Sequence, residues 1–199
     1  MLDRVTYDPG VITLPPRRPS PPHARNPART APLVLLLALP LAACSGNDAD
    51  DVAAAAAALV EQGVVQITQG ENEKSQETFE RALRLDDEQY LAHYNLGVLD
   101  QRANRDDDAR EHYEDALELE SGHGPSLYNL AILTESDDLD EAIELYRAAI
   151  KAQPGNAAAH MRLGFALNHL GRISEAETML AQGIKLDPSM DKVQAPKYD

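Results

Sequence analysis

The stretch HYNLGVLDQRANRDDDAREHYEDA, His93 to Ala116, decides the fold. Helical spacing puts Tyr94, Val98 and Arg102 together on a first helix, and Ala109, Tyr113 and Ala116 form one face of a second. Asn104 stands where the first helix must stop and tolerates a left-handed backbone. Asp106, Asp107 and Asp108 stand where the second begins, and carboxylates there cap free N–H groups and oppose the helix dipole. Gly97 and Ala116 are small, so the two backbones can approach while Tyr113 fills the space beside them.

The same pattern returns on both sides. HYNLG, ending at Gly97, is matched by LVEQG at Gly63, LYNLA at Ala131 and HMRLG at Gly164, at spacings of 34, 34 and 33 residues. The second helix is matched by Ser75-x-x-x-Phe79-x-x-Ala82, Ala142-x-x-x-Tyr146-x-x-Ala149 and Ala176-x-x-x-Leu180-x-x-Gly183. Two half-motifs repeating in phase at this period resemble the tetratricopeptide repeat. The resemblance implies an all-α fold, a right-handed solenoid of about four helix-turn-helix units: 56–89, 90–123, 124–156 and 157–190 within a domain spanning 52–190.

Punctuation agrees. Gly70 and Gly171 end first helices as Asn104 does, and Pro154 and Pro188 close their units. The tryptophan of the family pattern is replaced by Leu59, His93, Leu127 and His160, and Gln62 and Ser75 make the first unit the most divergent. The third unit is one residue short in its turn, ESDDLDEA, where Asp137, Asp138 and Asp140 are expected to cap as the earlier aspartates do.

Upstream of the repeats, residues 32–43 read PLVLLLALPLAA, uncharged and preceded by Arg17, Arg18, Arg25 and Arg29. The run is too short for a bilayer core and fits an export signal. Leu41-Ala42-Ala43-Cys44 resembles the lipobox of bacterial lipoproteins, and Cys44 is the sole cysteine. The resemblance implies cleavage of 1–43, a diacylglyceryl group on the Cys44 thiol and an acylated new amino terminus, which retains the protein at a membrane. Residues 44–51 are then a short linker and 191–199 a tail. Ser45, where aspartate would favour the inner membrane, points by the same resemblance to the outer membrane, with the domain facing the periplasm. Seven of the thirteen prolines fall in residues 1–30, which is foreign to a signal peptide and suggests that translation starts later than Met1. Pro19-Ser20-Pro21 follow Arg17-Arg18 where a twin-arginine signal wants an apolar residue.

Of 18 basic and 33 acidic residues, five and two precede Cys44, which leaves 13 against 31 and a net charge of −18. That excludes nucleic acid and favours a basic or apolar protein segment. No histidine pair has the His-x-x-x-His spacing of two ligands on one helix, the acidic clusters lack the glycine and distal glutamate of a calcium loop, and no nucleophile elbow or phosphate loop occurs. No metal, no cofactor and no enzymatic activity is therefore expected, and His93 and His160 read as packing residues.

In tetratricopeptide arrays the first helices line a concave face. The resemblance places there Tyr94, Asn95, Val98 and Arg102, then Tyr128, Asn129 and Ile132, then Met161, Arg162, Phe165 and His169. Asparagines can hold an extended peptide backbone and Arg162 can grip a carboxylate. The lysines of the carboxylate clamp are missing, and YNL is also simply a common way to build this helix. After Pro188 too little chain remains for a capping helix, so Ile173, Ala176, Leu180 and Ile184 are expected to leave an open apolar edge that favours a homodimer or a partner helix. The reading is a membrane-anchored adaptor for a protein or peptide in envelope assembly. A pilotin-like assembly factor and a self-associating structural lipoprotein are its alternatives.

Overall fold

The structure is a computed structural model and describes residues 48–198; Cys44, the export segment 1–43 and the first part of the linker lie outside the described residues. Within them lie eight α-helices: α1 (Asp48–Thr68), α2 (Asn72–Leu85), α3 (Tyr90–Arg102), α4 (Asp106–Leu119), α5 (Gly124–Thr134), α6 (Leu139–Ala152), α7 (Ala157–His169) and α8 (Ile173–Leu186). A 3-10 turn, Pro188–Lys192, follows. Among the described residues there is no strand, and no helix is long and apolar enough to cross a membrane.

Helix α1 starts within the stretch expected to be linker. The six alanines 53–58 explain this, since alanine loses least on entering a helix. Each helix packs against the next in the chain, most extensively within the pairs α1–α2, α3–α4, α5–α6 and α7–α8. The pairs close on one large side chain each. Phe79, Tyr113 and Tyr146 are fully buried. A methyl group on Gly97 would stand 2.6 Å from the Tyr113 ring, on Gly63 2.5 Å from Phe79 and on Gly164 2.7 Å from Leu180. Backbones this close leave no room for a β-carbon, which is why the small residue recurs.

Three of the first helices stop in one way. Gly70, Asn104 and Gly171 take left-handed φ values of 77°, 58° and 74°. The N–H groups of Glu71, Arg105 and Arg172 then return to the carbonyls of Gln66, Asp100 and Leu167, a Schellman closure of the last turn. The shortened third turn differs: α5 runs into Glu135 with right-handed geometry, and Asp137 and Asp138 donate to the Thr134 carbonyl.

Two expectations need correction. Asp138 caps α6 through the Glu141 N–H at 2.9 Å, but Asp106, Asp107 and Asp108 sit inside the first turn of α4, which has no side-chain cap. Their effect there is on the helix dipole. Of the four residues expected to leave an open apolar edge, Ala176 is 1% exposed and Leu180 packs on Gly164, while Ile173, at 48%, is strongly exposed. Beyond the 3-10 turn the segment 193–198 carries no helix, and at its end Tyr198 packs against the core shared by the third and fourth pairs.

Candidate functional site

The face built by α3, α5 and α7 divides into a packed layer and an accessible one. Tyr94, Val98, Tyr128 and Met161 are buried. The Tyr94 ring meets His123 edge-on at 4.8 Å, Tyr128 leans on Tyr146 at 5.9 Å, and Met161 points at Gly183 of α8. These four build the repeats. A first helix is enclosed by its own second helix and by that of the preceding unit, so Leu96 to Asp100 is buried without a break.

The polar residues are also engaged within the chain. Asn95 donates its side-chain amide to the Leu91 carbonyl at 2.6 Å. Asn129, buried, donates to the Tyr113 hydroxyl at 3.2 Å, and that hydroxyl donates to Gln101 Oε1 at 2.9 Å. The third pair repeats the phenol-to-acceptor clasp with a charge in it: the Tyr146 hydroxyl donates to Glu135 Oε1 at 2.6 Å. Arg102 is exposed at the end of α3, and Ile132 and Phe165 are half-buried. His160, expected to pack, is buried with Nε2 3.1 Å from the Pro154 carbonyl oxygen.

Around Glu135 the expected residues do converge. Arg162 Nη1 lies 2.8 Å from Glu135 Oε2, so the carboxylate it grips belongs to its own chain. Glu135 is held above the usual carboxylate range by burial, with Arg162 and the Tyr146 hydroxyl opposing. Tyr198 closes the group: its ring stands 5.0 Å from that of His169, and burial, then the Glu135 carboxylate, raises its phenol pKa. Its hydroxyl is buried beside the Glu135 carboxylate. The Tyr198 side chain therefore sits against Glu135, Arg162 and His169, all from first helices or their ends. Arg162 and His169 were legible in the sequence; Glu135, Tyr146 and Tyr198 were not among the expected residues. The third unit's short turn was the available signal for Glu135.

Two family models described as tetratricopeptide repeat match residues 60–124 and 133–195. No curated protein matches. Among solved structures, one of MamA aligns at 22% identity over 69% of this chain and 81% of its own, with a TM-score of 0.59. MamA from Desulfovibrio magneticus RS-1, residues 41 to the end, aligns at 20% identity over 69% and 78%, with a TM-score of 0.56. PilF of Pseudomonas aeruginosa aligns at 22% identity over 70% of this chain and 66% of its own, with a TM-score of 0.61. At these identities the likeness is one of fold.

Proposed function

The chain belongs to the tetratricopeptide repeat family, and from that premise we propose that it is a protein-binding scaffold which holds an extended partner segment on the face of α5 and α7. The scaffold is anchored at the bacterial envelope through a lipid on Cys44, faces the periplasm from the outer membrane, and serves envelope assembly. It has no enzymatic activity.

The observation that carries this reading is the seat of Tyr198. There the chain's own tail supplies an aromatic ring to His169 and a phenol to the neighbourhood of Glu135 and Arg162. The chemistry of that occupant defines the partner: an extended stretch carrying tyrosine beside a basic residue, as Lys197 stands beside Tyr198. A net charge of −18 after residue 43 favours the basic neighbour. The partner displaces segment 193–198 to bind.

Capture from detergent-solubilised membranes tests it, using the full chain, a form lacking 193–199, and Phe165→Ala/His169→Ala. The truncated form captures more of one partner than the full chain and the double variant captures none. Equal capture by all three forms overturns the reading. Intact mass of the same samples reports on the anchor, which requires an acylated Cys44 at the amino terminus.

A further inference from the structure

A second cluster lies outside that face. His93 on α3 and His112 and Asp115 on α4 each offer a ligand atom, and the three atoms lie within 4.8 Å of one another. His93 Nδ1 stands 3.2 Å from Asp115 Oδ2, and His112 Nδ1 4.0 Å from the same oxygen. Both Nδ1 atoms are buried, and neither makes a hydrogen bond. Two orphaned imidazole nitrogens converging on one carboxylate oxygen is an arrangement that a polar interior does not leave unused.

We propose that His93, His112 and Asp115 form a binding site for a divalent first-row transition-metal ion, zinc being the probe of choice, with the two Nδ1 atoms and one carboxylate oxygen as ligands and water completing the shell. The distances suit it. Nitrogen and oxygen ligands 2.0–2.1 Å from a tetrahedral ion lie about 3.3 Å apart, so the His93–Asp115 separation already fits and His112 has only a short way to close. Two imidazoles and a carboxylate are a donor set that zinc, copper and nickel accept.

The surroundings orient the ligands. His112 Nε2 lies 3.6 Å from Asp100 Oδ2, a carboxylate buried at 5% exposure and held by the Arg105 guanidinium. With the proton on Nε2 toward Asp100, the Nδ1 lone pair is free for an ion, the usual carboxylate–histidine–metal relay. His112 also lines a surface cleft with Gln76, Glu80, Leu83, Arg84 and Leu96. The ligands lie on two helices, 19 residues apart from His93 to His112, so no single-helix motif reveals them. An ion there would clamp α3 to α4.

The test is titration of the chelator-treated full chain with Zn²⁺ by calorimetry, beside His112→Ala, Asp115→Asn and Cys44→Ser. The wild type and Cys44→Ser bind one equivalent; His112→Ala and Asp115→Asn weaken that binding at least tenfold. Co²⁺ in the wild type gives the visible absorption of a four-coordinate ion, and both site variants lose it. Circular dichroism checks that the variants are folded; should His112→Ala unfold, the part-exposed Asp115→Asn decides. No saturable one-to-one binding, or binding kept by a folded Asp115→Asn, overturns the proposal and leaves the cluster as a histidine–aspartate ion pair.

Discussion

Arg162 on α7 reaches back one repeat to Glu135, at the end of α5, with Nη1 2.8 Å from Oε2. The two helices meet their neighbours chiefly through α6, and this ion pair ties them directly. Glu135 is the more enclosed partner, its side chain 9% exposed against 31% for Arg162. Arg162→Ala is expected to destabilise by about 1–3 kcal/mol, because a mostly buried carboxylate loses its cation. Glu135 already titrates above its unfolded value, so its ionisation works against the fold as pH rises through the folded pKa. Removing Arg162 raises that pKa further, so the variant's deficit grows from pH 4 to pH 7. Urea midpoints at the two values check this, and Glu135→Gln/Arg162→Ala should show no such growth.

The inter-repeat link at Asn129 offers a second test. Tyr113→Phe removes the acceptor of the buried Asn129 amide and the donor to Gln101. The expected loss is about 1–2 kcal/mol. In a double-mutant cycle, Asn129→Ala should couple with Tyr113→Phe. Strict additivity would show that the link contributes nothing.

Backbone geometry separates two similar-looking stops. Gly171→Ala has open space around the new methyl group and suffers only from φ = 74°, so the expected cost is about 1 kcal/mol. Asn104→Ala, at φ = 58°, should cost more, because alanine is strained there too and the Asn104 side chain also has an interaction to lose; melting temperatures compare the two.

His123 predicts an acid limb. Its ring sits between Tyr90 at 5.2 Å and Tyr94 at 4.8 Å, and burial lowers its pKa while Glu120 opposes. The fold therefore prefers the neutral ring: the contribution is whole above about 6.5, the unfolded value, and is lost as pH falls from there through the folded pKa. Urea midpoints should drop between pH 7 and pH 5. His123→Phe should shallow the slope without abolishing it, because His93 is lowered by burial as well.

The fold was legible because its determinants are local and periodic: a small residue at Gly63, Gly97 and Gly164, a large one facing it, and a left-handed stop at Gly70, Asn104 and Gly171. The face was legible only in part. Helical spacing grouped Tyr94 with Val98 correctly, yet periodicity describes one face of a helix while α3 is covered on several, so both proved to be packing residues. Tyr198 reaches Glu135 across 63 positions, and a tail outside any helix carries no periodic signal of where it lands. The histidine cluster escaped for the same reason, since its ligands meet only once α3 and α4 pair.

Gln101 and Glu135 occupy equivalent places, each accepting a phenol from the second helix of its own unit. One is neutral and the other charged, on an unchanged backbone plan. The array thus works like a keyboard: exchanging the one side chain at that position, Gln101→Glu or Glu135→Gln, resets the charge inside one unit while leaving its neighbours in tune.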